Sequence, residues 1–185
     1  MGSAYKNFWS LNTDEAVVTG ILRDSTPKAI EVLMPLNAQM KDIDLILMNL
    51  ENKKVLKIQV KGSRAYEPKK SEVVKYGEGS GGWFYFKRKV VNDSSADYFI
   101  FLVYVLEENT KTGRRIIMPH TLTIPTKELN ELCKKHKKIG KGEMYSFYFW
   151  VNPANKKSFE FRDELYDTTK YLDKRGLNEL NYELR

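Results

Sequence analysis

Residues Tyr98-Phe99-Ile100-Phe101-Leu102-Val103-Tyr104-Val105 form a run of apolar side chains with no polar break. Neighbouring side chains in a strand point to opposite faces, so an unbroken apolar run suits a central strand covered on both faces. The chain has 185 residues, 42% apolar and 30% charged, enough for one domain over 1–185 with a real core. No stretch reaches the ~18 apolar residues that a spanning helix needs, and Met1 to Ser10 lack the pattern of a secretory signal. The single cysteine, Cys133, excludes an intramolecular disulfide framework and fits a reducing, cytoplasmic setting.

Around that strand the remaining elements read as follows. Asn12-Thr13-Asp14 caps a helix to about Arg23, with Val17, Val18, Ile21 and Leu22 on one face. Residues 29–34 are a short strand stopped by Pro35. Ile43 to Leu50 and Val55 to Lys61 are strands joined by the polar turn Glu51-Asn52-Lys53-Lys54, a β-hairpin. Residues 66–82, with Gly77, Gly79, Gly81 and Gly82, read as a mobile loop that lacks the Lys-Ser/Thr ending of a phosphate-cradling loop. Trp83 to Lys87 is an aromatic strand, and Arg115 to Met118 is a strand ended by Pro119. Thr126 opens a helix to about Lys138, with Leu129, Leu132, Cys133 and His136 on one face. Tyr145 to Val151 is a strand, and Arg162 to Leu172 a closing helix. The expectation is an α/β (α+β) domain with a central mixed β-sheet flanked by helices.

The hairpin carries the chemistry. Gln59 and Lys61 share one face of their strand while Ile58 and Val60 share the other. A turn centred on Asn52-Lys53 puts Leu50 opposite Val55, Ile46 opposite Gln59 and Asp44 opposite Lys61. An acid, an amide and an amine thus converge at one end. That set suits phosphodiester hydrolysis. Asp44 offers hard oxygen to Mg²⁺ or Mn²⁺, with the Gln59 amide oxygen and the Val60 main-chain carbonyl completing the protein's share. The Lys61 ammonium orients water or offsets charge growing on the phosphorane.

On these residues the chain resembles the PD-(D/E)XK nuclease superfamily of restriction-like endonucleases, homing endonucleases and junction resolvases. The motif is an acid at the start of one strand, matched by Asp44, then acid-X-Lys on the next strand, matched by Gln59-Val60-Lys61. Glu15 fits the glutamate that the superfamily often carries on an upstream helix. The resemblance covers roughly residues 12–64, with 97–106 as a later strand of the same sheet. It implies a restriction-endonuclease-like fold and a Mg²⁺-dependent endonuclease acting on DNA, often as a homodimer. No proline precedes Asp44, which removes no chemistry. Gln59 stands where the motif has an acid, which removes a negative ligand and weakens ion binding.

Charge is consistent with a polyanionic partner: the formal net charge is +7. Residues 51–75 carry eight Lys or Arg against three acids, and 127–141 six Lys against two. Arg64, Lys69 and Lys70, after the motif, would hold backbone phosphates. Plainer readings stand beside these. Asp42, Asp44, Lys57 and Lys61 can solvate an edge strand. Glu15 and the lysines at 134, 135, 137 and 138 can complement helix dipoles. Trp83-Phe84-Tyr85-Phe86 can stack on unpaired bases, though aromatic strands usually face a core. His120 has no partner placed by the sequence, and Cys133 reads as core. Three functions therefore remain: a nuclease, a DNA-binding module of the same fold with weak or lost chemistry, and an interaction protein with no site.

Overall fold

A computed structural model describes residues 13–35, 42–109, 112–135 and 143–185. Helix α1 (Thr13–Ser25) has Asp14 and Glu15 in its first turn and Arg23 in its last, which suits the helix dipole at both ends. Its Val18 and Leu22, one turn apart, are the buried positions. Strands β1 (Ile30–Leu33), β2 (Leu45–Asn49) and β3 (Val55–Gly62) follow, then helix α2 (Lys70–Tyr76), strand β4 (Ser80–Lys87) and the short helix α3 (Lys89–Asn92). The long strands β5 (Tyr98–Asn109) and β6 (Arg114–Pro125) lead into helix α4 (Thr126–Lys135). Strands β7 (Met144–Asn152), β8 (Lys157–Glu160) and β9 (Tyr166–Asp167), a 3-10 turn at Thr169–Tyr171 and helix α5 (Lys174–Glu183) complete the chain.

The architecture is mixed α/β. One sheet has the order β1-β2-β3-β5-β6, with β3 and β5 parallel and the other pairs antiparallel. A second, antiparallel sheet has the order β4-β7-β8-β9. Strand β5 is buried on both faces, as its apolar run requires. Tyr98, Ile100 and Leu102 pack with Val18 and Leu22 of α1 and with Leu177 and Leu180 of α5. Phe99, Phe101 and Val103 pack with Phe84, Phe86, Phe147 and Phe149 of the second sheet. Phe101 sits edge-on to Phe84 and tilted to Phe149, both with centroids 5.0 Å away. Truncating such a ring to alanine costs about 3–5 kcal/mol.

Several sequence expectations change. One face of the mixed sheet is covered mainly by a second sheet rather than by helices. The region 66–82 is not one loop: it holds α2 and the start of β4, with Gly81 and Gly82 inside the strand. At Gly82 a Cβ would crowd the Phe84 ring and Val103. Strand β6 continues through Pro119 to Pro125. It lies at the sheet edge, where a proline whose missing N–H faces outward costs no ladder bond. Arg162 to Leu172 is not a helix; the closing helix is α5, starting after Asp173. Asn12, His136, Lys137, Lys138 and the first ten residues lie outside the described residues. Among the described residues no helix is long and apolar enough to cross a membrane.

Candidate active site

The β2–β3 turn sets the site's register. Asn49 accepts the Lys53 N–H at 2.9 Å through its carbonyl and the Glu51 N–H at 2.9 Å through its side chain. Lys53 takes a left-handed conformation, φ 64°. Asn49 thereby faces Lys54, bonded through its N–H to the Lys54 carbonyl at 2.9 Å. Met48 then faces Val55 and Ile46 faces Lys57, two residues away from the register expected from the sequence. The period of a strand is two, so this shift leaves every side chain on its expected face.

The paired register ends at Leu45, opposite Ile58, and Asp44 lies beside Ile58, Gln59 and Val60 rather than opposite Lys61. The Asp44 N–H donates to the Ile58 carbonyl at 2.9 Å. The carboxylate Oδ2 accepts the Val60 N–H at 2.6 Å and the Gln59 amide Nε2 at 3.3 Å. The N–H and C=O of one strand residue point to the same edge, so the Val60 carbonyl also lies on the Asp44 side of β3. Gln59 is buried, and its Oε1 has no partner among the described residues. Lys61 is half-buried. Burial pushes its amine below the usual lysine range, while Asp44, then Asp42 and Glu15, hold it up. The structure therefore brings Asp44, Gln59 and Val60 into direct contact and sets Lys61 in the field of three acids.

The oxygens gathered here are one carboxylate, one amide and one main-chain carbonyl, all hard donors of the type Mg²⁺ or Mn²⁺ takes. The orphaned Gln59 oxygen fits such a role once the amide turns its oxygen toward Asp44. Among the described residues, however, no group of three or more His, Cys, Asp or Glu stands where it could hold a metal. The set is thus suited in kind and thin in charge.

Behind the site, helix α1 approaches β3 at Gly62, where a Cβ would collide with the Asp14 carboxylate. Asp14 accepts the Tyr104 hydroxyl at 2.8 Å. Burial and this carboxylate push the Tyr104 phenol up to about 12. Asp14 and Tyr104 escaped sequence reasoning as a pair; the glycine directly after Lys61 was the available signal.

From Lys61 an open groove of about 820 Å³ runs between the end of β3 and the edge strand β4. Arg64 lines it. Lys69 lines a smaller adjoining cavity of about 160 Å³, and Lys70 is exposed and lines neither. The aromatic strand divides by alternation: Phe84 and Phe86 enter the core, while Trp83 and Tyr85 stay 45% and 54% exposed on the groove. Cys133 is core, and burial pushes its thiol up to about 12. Lys134 pairs with Glu131 at 2.7 Å on the surface. His120 is engaged away from the hairpin, its ring nitrogens each 2.8 Å from Asp173 and Glu107.

No protein-family profile, curated protein or solved structure matches the chain.

Proposed function

We propose that this protein is a metal-dependent endonuclease of restriction-endonuclease-like fold that hydrolyses phosphodiester bonds of DNA. The observation that carries the reading is the junction of Asp44, Gln59 and Val60 at the mouth of the hairpin, with Lys61 in the electrostatic field of Asp44. Further support comes from the order of elements. A helix bearing Glu15 precedes the hairpin, and the later strand β5 joins the same sheet in parallel with β3.

Asp44, the Gln59 amide oxygen and the Val60 carbonyl would hold Mg²⁺ or Mn²⁺, with Glu15 within reach of the same field. When bound, such an ion supplies Lewis-acid polarisation of the scissile phosphate. Lys61 supplies a donor at the groove's end, where it orients the attacking water or offsets charge growing on the oxygens of the pentacoordinate phosphorane. Arg64 binds a flanking phosphate and positions the strand without reading its sequence. Lys69, in the adjoining cavity, and the exposed Lys70 are the additional phosphate contacts of this reading.

The test is incubation of the wild type with supercoiled and with branched DNA, in Mg²⁺, in Mn²⁺ and in EDTA. Nicking that EDTA abolishes is expected; intact DNA under every condition overturns the reading. A second reading has its own observation. Gln59 replaces an acid and Asp44 already accepts two hydrogen bonds, which favours a DNA-binding module with weak or lost chemistry. That module would bind DNA with a steep loss of affinity between low and moderate salt, and would cut nothing.

A further inference from the structure

The groove beside Lys61 has a composition the hairpin chemistry does not require. Its lining includes Lys61, Arg64 and Arg162 but, among the described residues, no Asp or Glu. Its exposed rings, Trp83 and Tyr85, stand on β4; Tyr148 of β7 lines the adjoining cavity, which also holds Glu67 and Glu72, and backs Trp83 from there. Trp83 and Tyr148 are cross-strand partners, and their rings lie 5.6 Å apart with planes 7° off parallel. The Trp83 indole Nε1 donates to Ser146 at 2.8 Å, which fixes the ring's plane. Its backbone N–H donates to Ser63 at 2.9 Å, which ties β4 to the end of β3. The Arg162 guanidinium lies 5.3 Å over the Tyr148 ring. Tyr148 therefore backs one face of the indole, and Trp83 still leaves nearly half its surface open.

Exposed aromatic surface of this kind marks an interaction site, and here it lines a groove with three cations and no acid among the described residues. A duplex buries its base faces in its own stack and offers such rings little. An unpaired strand offers flat bases for the rings and phosphates for the arginines. We propose that this groove binds an unpaired nucleic-acid strand, with its bases stacked on Trp83 and Tyr85 and its phosphates on Arg64 and Arg162. The proposal rests on the nuclease reading for what happens next: the strand so held runs toward Lys61, and the preferred substrate is single-stranded, splayed or flapped DNA rather than continuous duplex.

The experiment measures binding in EDTA, where no chemistry intervenes. A labelled oligothymidylate of roughly 12 nucleotides and a duplex of the same length are titrated by fluorescence anisotropy with wild type, Trp83→Ala, Trp83→Phe and Tyr85→Ala. The wild type binds the single strand more tightly than the duplex. Each alanine variant loses about fivefold or more in single-strand affinity, and duplex binding stays unchanged. Trp83→Phe keeps a ring and recovers most of the loss, a result that a folding defect would not give. If Trp83→Ala fails to fold, Tyr85→Ala carries the test, because its ring is the more exposed. Equal affinity for both DNAs in the wild type, or single-strand affinity unmoved by the alanine variants, overturns the proposal. Addition of Mn²⁺ to the same mixtures separates the two claims. Tight, ring-dependent binding without cleavage upholds the groove and ends the nuclease reading. Cleavage with ring-independent binding ends the groove alone.

Discussion

Glu160 on β8 is fully buried, and its carboxyl makes the stability of this fold depend on pH. Oε1 accepts the Arg162 N–H at 2.9 Å and the Tyr148 N–H at 3.4 Å, whereas Oε2 has no partner among the described residues. Burial pushes the carboxyl from its ordinary 4.5 up to about 7, and the two backbone bonds pull back only in part. The folded state therefore holds this proton across a window in which the unfolded chain has lost it. The stability that this group contributes is full below pH 4.5, is lost as pH rises to about 7, and levels off above. At 1.36 kcal/mol per pH unit the loss is at most about 3 kcal/mol. Glu160→Gln keeps the shape and cannot ionise. Its amide carries a fixed cost of an unpartnered buried NH₂ group, so the informative quantity is the difference between variant and wild type as a function of pH. Urea unfolding at intervals from pH 4 to 8 measures it. The variant gains on the wild type by up to about 3 kcal/mol across the series. A difference that stays flat with pH would refute the reasoning. The consequence reaches the groove, because the two N–H groups that Glu160 holds belong to Tyr148 and Arg162.

His120 is doubly engaged by Asp173 and Glu107, which outweigh its burial and raise its pKa above 6.5. The stability it contributes is full below pH 6.5 and is lost as pH rises through the higher folded value. NMR titration should place its midpoint above that of an unfolded control, and Asp173→Asn should lower it. Gly62→Ala drives a methyl group into the Asp14 carboxylate. It should cost about 1–3 kcal/mol, and Asp14→Ala should relieve much of that loss in the double variant, a non-additivity read by chemical unfolding. Gln59→Glu sets a second carboxylate where the amide now donates to Asp44 at 3.3 Å. The metal-free variant should melt at a lower temperature than wild type, and calorimetric titration with Mn²⁺ should show tighter binding. Binding no tighter than wild type would mean that Gln59 does not face the ion.

The elements legible from the sequence were those governed by local pattern. The run at 98–105 has one physical solution, and β5 adopts it. The hairpin follows from two apolar strands and a polar turn. Its register was off by two because Lys53 enters a left-handed turn that no glycine advertised. Asp44 and Gln59 still meet, because a shift of two keeps the paired side chains on their faces. The elements missed were those fixed by tertiary contacts. Helix α5 begins after Asp173, at a φ of 45°, and has Gly176 where a Cβ would collide with the Tyr171 carbonyl. Locally such a stretch argues against a helix. Pro119 did not end β6, because only the fold reveals that β6 is an edge. The aromatic strand looked uniformly core-like, yet alternation alone divides it, and the exposed half was recoverable from period two.

The proposed phosphodiesterase centres on Asp44 and Lys61. The most direct measurement is the single-turnover rate of cleavage of a labelled, flapped DNA in Mn²⁺, with wild type beside Asp44→Ala and Lys61→Ala, each first shown to bind that DNA in EDTA. Measurable cleavage by the wild type is expected, with a loss of at least about a hundredfold in both variants, as removal of a transition-state contact requires. Cleavage by the wild type that persists undiminished in Asp44→Ala would place the chemistry elsewhere and contradict it.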